Sequence, residues 1–147
     1  MKKKLFLALF FLLHLLSWAN KNNANYYNIN KIQEDFPTSS VEQKIQNYDS
    51  VTISNPVQGY VILLTHYPDK FSATRTYYDM LQEAASQNFL GFFSDTGYTT
   101  FIDADQGIVY GFLVEDSDYI VVRFHNLDII SSTLQILDQK MESWKKI

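Results

Sequence analysis

Tyr98-Thr-Thr-Phe-Ile-Asp103, Ile108-Val-Tyr-Gly-Phe-Leu-Val-Glu115 and Tyr119-Ile-Val-Val-Arg-Phe-His125 are three strand-like runs separated by a few residues each. β-Branched and aromatic residues fill the runs, and the connectors Asp103-Ala-Asp-Gln-Gly107 and Glu115-Asp-Ser-Asp118 use types that tolerate tight turns. Connectors this short cannot carry a crossover, so the pattern predicts an antiparallel meander. In the last run Ile120, Val122 and Phe124 lie on one side, and Tyr119, Val121, Arg123 and His125 on the other. The first side is expected to be the core.

What precedes the meander supplies its covering layers. Ser39-Ser-Val-Glu42 has a capping-box pattern, which predicts a short helix over 39–48. Val51 and Ile53 alternate with Ser50, Thr52 and Ser54 as in a half-buried strand. Tyr60-Val-Ile-Leu-Leu-Thr-His66 is apolar on both sides and predicts a strand inside a sheet with both faces covered. Ser72 can cap a helix running to Gln87, with Tyr77, Leu81, Ala84 and Ala85 on one face. After the meander, Leu127, Ile130, Leu134, Leu137, Met141 and Trp144 recur at helical spacing, predicting a helix over 128–146 that packs on the Ile120/Val122/Phe124 side. The fold class expected is α+β: a mainly antiparallel sheet, order ββαβββα, with helices packed on it.

The beginning of the chain reads as an export signal. Lys2, Lys3 and Lys4 precede an apolar run from Leu5 to Leu16, broken by His14, and Ser17 and Ala19 supply small residues for cleavage. That run is shorter than the roughly 20 residues needed to span a bilayer, so no stable anchor is expected after cleavage. The organisation expected is a signal peptide over 1–19, a flexible asparagine-rich leader over 20–38 and one domain over 39–147. Six asparagines occupy residues 20–30, and the Tyr26-Tyr27 pair among them is expected to pack loosely or stay mobile.

Charge and composition exclude several chemistries. The chain has 12 Lys+Arg and 16 Asp+Glu; the signal segment removes three Lys and no acid, leaving 9 against 16, a formal −7. Such a balance argues against nucleic acid and anionic lipid and favours a partner with a basic surface. With no cysteine, disulfides, thiolate metal sites and cysteine nucleophiles are excluded. No G-x-S-x-G elbow or phosphate-cradling glycine loop occurs. Gly111–His125 is faintly similar to the early strands of class-3 lipases, but His125-Asn126-Leu127 stands where that family has an Arg-Gly-Thr turn, and no hydrolase reading follows.

Three functional expectations remain. The first is an exported, non-enzymatic binding protein of the bacterial envelope or secretome, such as an inhibitor or immunity-type protein. It would contact a basic protein through the turn acids Asp103, Asp105, Glu115, Asp116 and Asp118, with no cofactor. The second is a metal-dependent enzyme or sensor using His66 and His125, each at the end of a strand; parallel, adjacent strands would bring the two imidazoles together. The third is an assembly role for the C-terminal helix, whose spacing of 3 and 4 also suits a partner helix.

Overall fold

The computed structural model describes residues 26–87, 89–93 and 97–146; the expected signal peptide and residues 20–25 of the expected leader lie outside them. No helix among the described residues is long and apolar enough to cross a membrane. The elements run α1 (Ile29–Asp35), β1 (Ser40–Ile45), β2 (Asp49–Asn55), β3 (Tyr60–His66), α2 (Lys70–Ala85), β4 (Leu90–Phe93), β5 (Thr99–Asp103), β6 (Ile108–Glu115), β7 (Asp118–Phe124) and α3 (Ile130–Lys140). Single 3₁₀ turns, Leu127–Ile129 and Met141–Trp144, flank α3. The seven strands form one antiparallel sheet in the order β1-β2-β3-β7-β6-β5-β4.

Two meanders meet in the middle of this sheet, where β3 pairs with β7 from Tyr60↔Phe124 to His66↔Asp118. Both strands lie inside the sheet, so both of their faces are buried. Ile62, Leu64, Ile120, Val122 and Phe124 face a front core with Ile32, Phe36, Leu137, Met141 and Trp144. Leu63, Tyr119 and Val121 face a back core with Ala73, Met80 and Ala84 of α2. The α+β class and the antiparallel sheet are as expected, but β7 contributes a core on each side, not on one alone. The physical reason is α2, which crosses behind β6 and β7 and shuts water from residues that period-2 counting assigns to the outside.

Four further expectations are corrected. Residues 40–45 are a strand, not a helix: Ser39 Oγ pairs with the Tyr60 hydroxyl instead of capping, and β1 finds its partner in β2 after a three-residue link. Pairing with a neighbour outweighs a local capping preference. The leader expected over 20–38 is ordered from Tyr26, because Tyr27, Ile32 and Phe36 are core residues at 0%, 0% and 4% exposure. Asparagine's tendency to bond nearby backbone appears there as a helix cap, with Asn28 Oδ1 accepting from the backbone N–H of Asn30 and Lys31. α2 begins at Lys70 rather than at Ser72: Asp69 is the cap, and its carboxylate accepts from the Ser72 N–H at 2.7 Å. Finally, β4 adds a strand at the sheet edge that its four residues, one of them glycine, do not announce by period.

Gly111 sits where the sheet is tightest. It pairs with Val122, and a Cβ there would stand 2.7 Å from Val122 Cγ2 and 3.4 Å from Tyr98 Cδ1. Valine in a central strand has little rotamer freedom with which to give way. Gly111→Ala is therefore expected to cost about 1–3 kcal/mol, read by denaturant unfolding. A stability unchanged from wild type would show that Val122 moves aside without cost.

Candidate functional site

Register gathers several polar side chains at one end of the sheet. At the β3–β7 terminus His66 faces Asp118, and on the next strand Asp49 faces His66. Asp49 and Asp118 are 1% and 3% exposed. Buried carboxylates require hydrogen-bond partners, and the two ends of the described chain provide them. Asp49 Oδ2 accepts from the backbone N–H groups of Tyr26 (2.7 Å) and Tyr27 (2.8 Å), and Gln43 Nε2 donates to its Oδ1 at 2.8 Å. Asp118 Oδ1 accepts from the Tyr27 hydroxyl and from His66 Nδ1, each at 2.9 Å, and Lys145 Nζ lies 3.0 Å from its Oδ2. An ionised carboxylate only accepts, so His66 carries hydrogen on Nδ1.

This arrangement ties residues 26–28 to residues 144–146. Tyr27 forms an antiparallel bridge with Lys145, Asn28 N–H donates to Trp144 O at 2.6 Å, and Lys146 N–H donates to Tyr26 O at 2.7 Å. The Tyr26 ring stacks on His66 with centroids 3.4 Å apart and an interplanar angle of 8°. Burial disfavours the charged form of Asp118, but hydrogen bonds from His66, Lys145 and Tyr27 outweigh it and hold its carboxyl below the usual range. For Lys145 burial likewise opposes the charge, and its bonds to Glu142 and Asp118 overcome it, raising its affinity for the proton. Burial first, then the charge of Asp118, pushes the Tyr27 phenol well above its ordinary value. These groups bond one another, and Tyr26 covers one face of the His66 ring, whose side chain is 29% exposed: the cluster is a clasp.

Beside the clasp a cleft of about 260 Å³ opens between the β6–β7 end of the sheet and α3. Tyr98, Leu113, Leu134, Leu137 and Met141 form its apolar floor, and Glu115, Asp138 and Glu142 stand on its lips. Gly111 leaves room for the Tyr98 ring to lie flat on the sheet. Burial, with the charges of Glu115 and Asp138 added, raises the Tyr98 phenol above its ordinary value, so the hydroxyl stays neutral. Lys145 links the two features by bonding Glu142 at 2.7 Å as well as Asp118. Among the described residues neither Glu115 nor Asp138 is ion-paired, and both are exposed.

The residues singled out from sequence scatter across this frame. Asp103 (1% exposed) and Asp118 are buried and cannot offer a surface contact. Asp105 is exposed, but on the β5–β6 turn at the opposite end of the sheet from Glu115 and Asp116. The five acids therefore do not form one patch; only Glu115 and Asp116 remain exposed together, on the β6–β7 turn, and of the two Glu115 lines the cleft. His66 and His125 are also parted. Their strands are adjacent but antiparallel, so His66 pairs with Asp118 while His125 follows Phe124 at the far end, about 20 Å away by strand rise. Two imidazoles that far apart cannot share a metal ion, and among the described residues no three His, Cys, Asp or Glu groups converge to hold one. The apolar seam of the C-terminal helix is spent on its own sheet, with Leu134, Leu137, Met141 and Trp144 buried and Leu127 left 64% exposed.

Several site residues escape sequence reading: Asp49 and Gln43 in the clasp, Tyr98, Asp138 and Glu142 at the cleft. His66, Asp118 and Glu115 are legible as polar candidates, and the Tyr26-Tyr27 pair, expected to pack loosely or stay mobile, is instead held by internal bonds. Fold and site together define an α+β domain in which residues 26–28 are clasped to residues 144–146 beside an acid-lipped cleft. Compared with known protein families, curated proteins and solved structures, the chain has no match.

Proposed function

We propose that this chain is an exported, non-enzymatic binding protein that takes a basic side chain of a partner protein into the cleft beside Tyr98. An inhibitor or immunity-type protein is the concrete form of this reading. The observation that carries it is the pairing of unneutralised Glu115 and Asp138 with an apolar floor. A lysine or arginine side chain has the matching build, an aliphatic stem carrying a cationic head. The formal −7 of the chain without its signal segment adds a long-range field that draws cationic partners. Export rests on the Lys2–Ala19 pattern, and the mass of the product in the periplasm or medium checks it: a chain beginning at Asn20 is expected.

Titration with a lysine- and arginine-rich peptide at low salt tests the cleft. Glu115→Lys combined with Asp138→Lys turns attraction into repulsion at the lips and is expected to weaken binding about tenfold or more, mostly through association rate. Asp105→Lys, at the other end of the sheet, is the control and is expected to leave peptide affinity within about twofold, since exposed single charges contribute little. Equal losses in the two variants would reduce the effect to net charge and overturn the cleft reading.

A further inference from the structure

One element presents an unpartnered surface of a different kind. On α2, Phe71, Arg75 and Tyr78 fall at spacings of 4 and 3 and so share a face. Phe71 is 73% exposed, Tyr78 62%, and the Arg75 side chain 73%. Among the described residues the other large exposed apolar side chains, Ile45, Val57, Leu90 and Leu127, stand apart from one another along the chain. An aromatic–arginine–aromatic ridge has the residue types that dominate binding energy at protein interfaces. It is also pre-set: Tyr78 rests edge-on against Tyr77 with centroids 5.3 Å apart, and the Tyr77 hydroxyl is fixed to Thr99 Oγ1 at 2.8 Å. For Tyr78, less conformational freedom is left for binding to remove. Arg75 meets Asp79 at 4.0 Å with both side chains mostly exposed, a contact weak enough to exchange for another carboxylate.

The surface that complements this ridge is on the same molecule. The cleft offers Glu115 and Asp138 to a guanidinium, and Tyr98, Leu113 and Met141 to rings. Ridge and cleft lie on opposite sides of the sheet, so one copy cannot use both on itself. The geometry points to self-association in which the Phe71–Arg75–Tyr78 ridge of one copy seats in the cleft of a second copy. The contact joins two different surfaces, so it is head-to-tail and builds rings or open chains. A cleft of about 260 Å³ receiving three side chains makes a small interface, and below about 1,200 Å² such contacts are weak and transient. The inference rests on the cleft reading above and adds to it: copies of the chain occupy the carboxylates that a basic partner needs, so the partner must displace them.

Sedimentation velocity over a concentration series at about 0.15 M salt, where the long-range repulsion between two acidic copies is screened, reads the association. The wild-type sedimentation coefficient is expected to rise with concentration, and Arg75→Glu, an exposed change in mid-helix, to hold it flat. Glu115→Lys with Asp138→Lys is also expected to be flat. Mixing these two variants restores opposite charges on ridge and cleft and is expected to restore the rise. A flat wild-type profile, or a rise that survives Arg75→Glu, overturns the inference. Peptide titration of Arg75→Glu, whose cleft is untouched, separates the two readings. Peptide binding alongside a flat wild-type profile defeats self-association alone; no peptide binding alongside a wild-type rise defeats the peptide reading alone.

Discussion

Asp118→Ala is expected to lower the unfolding free energy by roughly 3 kcal/mol, the lower end of the range for breaking a buried charge pair. The carboxylate accepts from the Tyr27 hydroxyl, His66 Nδ1 and Lys145 Nζ, and reaches the Tyr26 hydroxyl at 3.5 Å. Its removal leaves the Tyr27 hydroxyl without an acceptor at a residue with no solvent exposure, and unsatisfied buried groups cost about 1–3 kcal/mol each. Lys145 retains Glu142, which keeps the loss from the upper end. Denaturant unfolding of the alanine and asparagine variants measures it, with the asparagine, still able to accept, expected to lose less. A cost below about 1 kcal/mol for the alanine would mean that water, not Asp118, satisfies the clasp.

Acid should dissect the same cluster. The folded Asp118 carboxyl is held below its usual range, against the pull of burial, by its three donors. A depressed carboxyl contributes its full stability above the unfolded value near pH 3.9 and loses it as pH falls through the lower folded value. The stability gap between wild type and Asp118→Asn is therefore expected to be constant near neutrality and to narrow below about pH 4. A gap independent of pH down to acid unfolding would show that the carboxylate charge plays no part.

Trp144→Ala is the second large effect, expected to cost roughly 3–5 kcal/mol. The side chain is 0% exposed, and its ring packs against Phe36 with centroids 5.8 Å apart. Nε1–H donates to Asp35 Oδ2 at 2.6 Å, so the ring joins the last residue of α1 to the end of the C-terminal helix. Alanine removes the largest fully buried side chain and leaves Asp35 without that donor. Trp144→Phe retains most of the apolar area but not the N–H; it is expected to lose about 1–2 kcal/mol, separating the bond from the packing. Circular dichroism at rising denaturant reads both variants. Equal losses for the two would place the whole effect in the hydrogen bond.

The meander was legible because its instructions are local. Gly107 and Asp116 take the positive φ values, 66° and 52°, that turn residues of their type tolerate, and the strands between them begin and end within one residue of expectation. The same holds for the Leu134–Trp144 seam and for β3, whose apolar run announced a strand covered on both sides. Wherever a local signal competed with a strand-pairing or tertiary partner, the partner won. Ser39-Ser-Val-Glu42 spells a cap, yet β2 is close enough to zip 40–45 into an edge strand. Asn20–Asn30 spells a loop, yet Tyr27 finds Asp49 and Asp118.

The candidate site lay further beyond reach, because it depends on strand direction. Had β3 and β7 run parallel, His66 would have met His125; running antiparallel, it meets Asp118, and a turn acid becomes the buried centre of a clasp. The cleft needs Glu115 from the sheet and Asp138 from α3, twenty-three residues apart and joined only by how α3 crosses the strands. Composition, charge, the export pattern, the α+β class and five of the seven strands follow from the order of residues, since each depends on neighbours within one turn or one period. Which acids are buried, which face one another and where a basic group can enter follow from register and layer packing. Those arise between segments far apart in the chain, and no short stretch contains them.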